Sequence, residues 1–343
     1  MTRSSLFAVV TAATMVAAPA FAQQSITVSS AGGAYQEAQR KALFTPTAKE
    51  LGITIKEDTT TGINDVRLQV AGRAVKWDLA QLNGYECARG AKEGLFEPID
   101  YKIVDTTGID PRLVHPEWVA ISYTSLVLIY NTKVYGENGP KTWADFWDVK
   151  KFPGRRALSH VFSPDMLSVA AMADGVQMDK VYPLDMDRAL KSFAKIKNDV
   201  SAWWTSGAQA TQLVKDGEVD MASIWNGRAS ALVADGAPVR FSYDQAVLMP
   251  GCIAIPKGAP NKALAMKALA NFLKPELQAD FSLLIANGPA NQGAFSTGKI
   301  PPERAAQINS SPDNAKKQVL LDPTYWADNL VTATEKLNEI MQR

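Results

Sequence analysis

The chain has 343 residues, 46% of them hydrophobic and 21% charged, a composition that supplies a sizeable core and excludes disordered, collagen-like and coiled-coil organisation. Lys and Arg number 36 against 35 Asp and Glu, so the net charge is +1 and no single-sign field exists to draw in nucleic acid or anionic lipid. With two His and two Cys in all, a Cys/His zinc site or His-based hydrolytic chemistry has almost nothing to draw on.

The first segment reads as an address. Arg3 precedes an apolar run from Leu6 to Ala18, Pro19 ends it, and Ala20-Phe21-Ala22 offers small residues at a signal-peptidase cut after Ala22. The run is well short of the roughly 20 residues a spanning helix needs, so export with removal of 1–22 is predicted rather than anchoring. Removal takes away Arg3 and no acid, which makes the mature formal charge zero. At roughly 100–200 residues per domain, the remaining length suggests two lobes.

From residue 25 short apolar runs alternate with amphipathic ones, the pattern of a mixed α/β fold. Strands are predicted over 25–30, 53–59, 77–82, 125–131 and 252–256, and helices over 34–44, 64–72, 185–196, 207–217 and 261–273. Folds of this class bind ligands outside the carboxyl ends of their strands, where helix starts present free N–H groups. Three corners have that form. Ser29–Tyr35 offers small residues at Gly33 before Tyr35, Thr59-Thr60-Thr61-Gly62 repeats the arrangement, and Trp203–Gln209 contains Trp204, Thr205 and Gly207 with Ser206 and Gln209 in capping-box spacing. Tyr85 and Glu86 follow the 77–82 strand and join the candidates. Adjacent strand residues face opposite ways, so one of Trp203 and Trp204 packs inward and the other is free to face a cleft. Trp225, Asn226 and Arg228 lie close downstream and add an aromatic wall and a cation. Cys87 and Cys252 are open to two readings, a disulfide allowed by export or two buried thiols.

Taken in order, SSAGGAYQEAQRKALFTP, KWDLAQL, ARGAKEGLFEPID, TSLVLIYNTKVY, KTWADFWDVKKFPGRRAL, GEVDMASIWNGRASALVADGAPV and CIAIPKGAPNKALAMKALANFLKPELQ resemble the periplasmic solute-binding proteins of ABC importers in the spermidine/putrescine-binding family. The resemblance spans nearly the whole mature chain. It implies a type II periplasmic binding protein fold: two lobes, each a mixed sheet flanked by helices, with the ligand in the cleft between them. The first lobe would comprise 23–125 plus 251–300 and the second 126–250 plus 301–343. Both cysteines would then fall in the first lobe. The family role is to capture a small solute by hinge closure and hand it to a membrane permease, as a periplasmic monomer without cofactor, metal or nucleic acid.

The ligand is narrowed by departures from the family pattern. Trp225 stands where the family carries a cleft tryptophan, but the Trp and Asp expected before the CIAIP strand are replaced by Met249-Pro250-Gly251. The first corner lacks its Trp and acid as well. With Arg228 three residues after Trp225, the pattern favours a small zwitterion such as 4-aminobutyrate over a polyamine. Its carboxylate would meet Arg228 or the helix starts at Gly33 and Gly207, its methylenes Trp204 or Trp225, and its amine Asp244, Asp165 or Glu86. Other readings are putrescine or spermidine, another organic cation such as thiamine, and an exported enzyme on the same scaffold, for which a cysteine beside Glu86 is the sole cysteine-based nucleophile suggested. Ferric binding is disfavoured because no two tyrosines are adjacent, and His115 and His160 read as structural.

Overall fold

A computed structural model describes residues 24–159 and 164–342, so the predicted signal segment 1–22 and His160 lie outside the described residues. Twelve strands occur among the described residues: β1 (Ser25–Ser30), β2 (Thr54–Thr59), β3 (Leu79–Asn83), β4 (Val114–His115), β5 (Trp118–Asn131), β6 (Arg156–Ser159), β7 (Val200–Trp204), β8 (Met221–Trp225), β9 (Val239–Phe241), β10 (Ala246–Ala254), β11 (Gly288–Pro289) and β12 (Gln318–Leu320). The continuous order is β2-β1-β3-β10-β5-β8-β6-β7. The β1, β2 and β3 strands pair in parallel, as do β6, β7 and β8, whereas β10 and β5 run antiparallel to each other and to the flanking groups.

Two strands differ from the prediction, and both differ by extension toward the middle of the molecule. The 125–131 strand begins at Trp118, and the 252–256 strand is the end of one that begins at Ala246. Each passes between two hydrophobic cores. The β5 residues through Tyr123 belong to one core and those from Leu126 to the other; on β10 the change falls between Val247 and Leu248. A run such as Trp-Val-Ala-Ile-Ser-Tyr-Thr-Ser-Leu-Val-Leu-Ile-Tyr can do this because nearly every residue is covered on whichever face it points to. The outcome is the two-lobed periplasmic binding protein fold, with the crossing strands as its waist.

Helices begin where predicted to within a residue, and their lengths differ more. The segment expected over 34–44 continues through a π turn at Arg40–Phe44 into a helix ending at Leu51, where Gly52 takes the left-handed conformation at φ 64°. Helices at Gly84–Lys92, Pro164–Ala173, Pro275–Leu284 and Pro323–Gln342 join those read from the pattern. The last of these buries Trp326, Ala333 and Leu337 in the second core and Ala327 in the first, so it straps the two together. A small third cluster, Ala279, Ala294, Ile300 and Ile308, straddles residue 300. No helix among the described residues is long and apolar enough to cross a membrane.

Cys87 of the Gly84–Lys92 helix is joined to Cys252 of β10 as a disulfide with a Cα separation of 6.4 Å, which selects one of the two readings left open. It ties the helix bearing Tyr85 and Glu86 to a crossing strand. His115 stacks on Trp118 at 5.6 Å and lies 2.8 Å from the Glu117 carboxylate, a surface packing role.

Candidate functional site

The carboxyl ends of β1, β2 and β3 on one side, and of β6, β7 and β8 on the other, meet across the middle of β5 and β10. Alternation along β5 gives this waist two unlike faces. Ser122 and Thr124 point to one, where they bond Tyr35 and Asn287; Ser125 points to the other, where its hydroxyl reaches Gln318. Trp225 pairs with Leu126, which shares the face of Ser122 and Thr124, so the tryptophan stands over that face.

The second-lobe wall is built around that tryptophan. Trp225 is 38% exposed and meets Trp204 edge to face at 5.5 Å. Trp204 itself is 1% exposed and donates its indole N–H to the Ser223 carbonyl, so it backs Trp225 instead of offering the open ligand wall expected of it. Trp203 is half-buried and packs on Phe193. The capping signal at Ser206 is confirmed: its Oγ accepts from the Gln209 N–H at 3.2 Å, and the Gln209 side chain returns to Thr205, bonding its N–H and hydroxyl. Thr205 is thus occupied in shaping the start of the Gly207–Lys215 helix. A Cβ on Gly207 would lie 2.9 Å from the Trp225 ring and 3.3 Å from Arg228 Nε, so only glycine lets both side chains lie over that helix start. Arg228 is exposed and makes no hydrogen bond or ion pair with any described residue.

A prediction follows from that close approach. Gly207→Ala should leave the urea midpoint nearly unchanged, because the displaced groups are half in solvent, but weaken ligand capture about tenfold by pushing Trp225 and Arg228 out of register. Calorimetric titration beside an unfolding curve checks both halves.

The first-lobe wall is more committed to structure than expected. Tyr35 shares a 2.6 Å hydrogen bond with Ser122 Oγ, accepts one from Gln81 and packs edge to face on Phe281, and burial pushes its phenol up to about 12. Gln81 in turn accepts from Ser30 and Gln39, so Tyr35 ends a buried polar chain that pins the Gly33–Gln39 helix to the crossing strand. Gly33 is exposed at φ 58°. Thr61 donates its N–H and hydroxyl to Asp65, whose carboxyl is held below the usual range, chiefly by that backbone bond. Gly62 has φ 137°, and a Cβ there would lie 2.5 Å from Glu86 Oε1. That glutamate is the main correction on this side. Its Oε1 accepts from the Ile63 N–H and its Oε2 from the N–H and amide of Asn83, so it clamps two helix starts and is not free to receive an amine.

Of the remaining acids offered for an amine, Asp244 is also corrected. It is exposed in the turn from β9 to β10, which lies along one edge of β5, whereas β8 with Trp225 lies along the other. The intervening strand keeps Asp244 and Trp225 apart. Asp165 has the opposite character: 1% exposed, in the first turn of the Pro164–Ala173 helix, with neither carboxylate oxygen hydrogen-bonded. Burial pushes its pKa up to about 7, partly opposed by the nearby N–H groups of Asp165 and Met166. Tyr85 leaves the first-lobe helix to pack against the second core, and its phenol is raised by burial with added contributions from the Glu86 and Asp165 charges. Met249, at the position lacking a family tryptophan, also packs against the second core.

Sequence reasoning named Asn226 without its role in joining the two walls, and missed Asn287. Asn226 accepts from the Ser125 N–H at 2.9 Å and donates to the Ala286 carbonyl at 2.9 Å, and Asn287 reaches Thr124. No local pattern marks such contacts, which bring together positions 60 to 163 residues apart. The open tryptophan and the unpaired guanidinium share one helix start, and the unpaired buried carboxyl of Asp165 contributes to the field at Tyr85. Such a site suits a ligand that carries both charges with methylenes between.

A sequence profile of bacterial extracellular solute-binding proteins matches residues 42–308. The chain is 32% identical over 330 residues to the gamma-aminobutyric acid-binding protein of Pseudomonas aeruginosa, covering 94% of this chain and 92% of that one. It is 24% identical over 283 residues to the spermidine/putrescine-binding periplasmic protein of Escherichia coli, covering 78% and 77%. Among solved structures, an ABC transporter substrate-binding protein from Bradyrhizobium japonicum superimposes with a TM-score of 0.90 at 43% identity, over 93% of this chain and all of that one. The Agrobacterium tumefaciens binding protein MotA, solved with glucopine, does so at 0.84 and 39%, over 93% and 100%.

Proposed function

The chain belongs to the family of bacterial extracellular solute-binding proteins, and from that premise we propose that the amine-containing solute it delivers to an ABC importer is a short ω-amino acid of the 4-aminobutyrate kind. The observation that carries this reading is the unpartnered Arg228 beside exposed Trp225 at the start of the Gly207–Lys215 helix; the unpartnered buried carboxyl of Asp165, whose charge is felt at Tyr85, supplies the opposite group. A ligand carboxylate meets the Arg228 guanidinium, with the first N–H groups of the Gly207–Lys215 helix behind it. Its methylenes lie on Trp225, and its ammonium reaches Asp165 beside Tyr85. The relative named for gamma-aminobutyric acid supports the same choice.

Closure follows from the division of labour. We place the lobes at 23–125 with 251–300 and at 126–250 with 301–343, a placement supported by the change of core along β5 and β10. Because Tyr35 and Tyr85 come from one lobe and Trp225, Arg228 and Asp165 from the other, a ligand touching both favours the closed arrangement by its differential affinity. The mature chain, cut after Ala22, works as a periplasmic monomer and presents the closed form to its permease.

A polyamine is the second reading, favoured by the spermidine/putrescine-binding relative. It would place a second ammonium near Met249-Pro250-Gly251, where no acid stands. A thermal-shift panel of 4-aminobutyrate, putrescine, spermidine and thiamine at equal concentration decides between them. At a hundredfold excess over Kd the true ligand adds about 2.7 kcal/mol. 4-Aminobutyrate should raise the midpoint, and Arg228→Ala should weaken its binding about a hundredfold; stabilisation by putrescine or spermidine alone would overturn the proposal.

A further inference from the structure

A second cavity among the described residues lies apart from the site described above. It occupies about 1120 Å³ on the opposite face of the crossing strands and is lined by Tyr123, Leu248 and Val319 at the waist, with the Ile109–Arg112 loop on one side and Met178 and Tyr182 on the other. Ile109 belongs to the first core, while Tyr182 packs on the second. Both lobes therefore contribute walls. None of the residues assigned to the cleft lines it, because alternation along β5 sends Ser122 and Thr124 one way and Tyr123 the other.

Tyr123 is the telling group. Its side chain is 4% exposed, and its hydroxyl, which makes no hydrogen bond with any described residue, stays accessible at the cavity wall. That hydroxyl is free to donate to, and accept from, a molecule in the cavity. The charged groups of the lining balance: Arg112 is spent on Asp110 through a 2.6 Å contact, and Lys316 and Asp179, neither in an ion pair, contribute one charge of each sign. An ionic occupant would leave that balance uncompensated. The lining adds the amides of Gln177 and Gln292, which can donate and accept, and that of Gln245, whose Oε1 already accepts from the Trp143 N–H, beside an apolar floor from Leu248 and Val319. Amides and a phenol over an aliphatic surface match a molecule with many hydroxyls on one edge and C–H groups on its face.

We propose that this rear cavity is a second binding site, for an uncharged polyhydroxyl solute of monosaccharide or cyclitol size. Saturation-transfer NMR and equilibrium dialysis with D-glucose and myo-inositol, each in the presence of saturating 4-aminobutyrate, test it. Midpoint shifts are unsuitable because polyols raise stability without binding. One of the two probes should bind with 4-aminobutyrate present, Tyr123→Phe should weaken it at least fivefold, and Ala315→Trp, which fills the cavity from its wall, should abolish it. No saturation transfer from either probe up to tens of millimolar would overturn the proposal. So would binding that 4-aminobutyrate displaces, or binding that survives Ala315→Trp.

Discussion

Asp165→Asn is expected to make the unliganded protein more stable at pH 8, by up to about 4 kcal/mol, and to abolish capture of a cationic amine. The carboxyl is 1% exposed with neither oxygen hydrogen-bonded, and burial raises it from 3.8 to about 7, a difference corresponding to roughly 4 kcal/mol. The folded chain then binds this proton more tightly than the unfolded chain. The stability contributed by the group is complete below about pH 4, falls as pH rises toward 7, and is flat above. Asparagine removes that slope. Urea titrations at pH 4.5 and 8 should therefore give a variant close to wild type at the lower pH and clearly above it at the higher.

Ligand binding runs the other way. An ammonium needs the ionised carboxylate, so wild-type affinity for 4-aminobutyrate should rise about tenfold per pH unit up to about 7 and then level off. Near pH 6, calorimetry in buffers of different ionisation enthalpy should register the release of close to one proton. Loss of the counter-charge in Asp165→Asn leaves a buried cation unpaired and should cost at least a hundredfold in affinity. Affinity that is flat between pH 5.5 and 8 and indifferent to the substitution would place the amine elsewhere.

The destabilised carboxylate also shows where sequence reading succeeds and where it stops. Signals held within a few residues survive folding: Ser206 and Gln209 mark a helix start, and Trp203-Trp204 divide between two faces. Long-range commitments do not show. Glu86 reads as a free acid at a strand end, but its Oε1 is taken by Ile63, 23 residues earlier in the chain. Asp244 reads as an acid available to the amine, yet β5 runs between it and Trp225. The early part of β5 carries Ser122 and Thr124, whose partners Tyr35 and Asn287 come from elsewhere in the chain. Polar side chains in a strand are legible only once the network that satisfies them is known.

Removing the Cys87–Cys252 bridge should produce the largest loss of stability available without touching the ligand. The two residues are 165 apart and both are fully buried. In the chain-entropy account a loop of that length constrains the unfolded state by about 5 kcal/mol, with 2–5 kcal/mol typical when a native bridge is deleted. The double variant Cys87→Ala/Cys252→Ala should lower the urea midpoint accordingly. It should also show a steeper denaturant dependence, because an unbridged unfolded chain exposes more surface. Binding should fall less than stability does, since Glu86 still clamps the helix starts at Ile63 and Asn83. Wild-type protein unfolded in dithiothreitol should reproduce the low midpoint, and without reductant the unfolded wild type should yield no reactive thiol. If the variant and wild type unfold together and two thiols titrate, the bridge does not form, and the hold of β10 on the Gly84–Lys92 helix rests on packing alone.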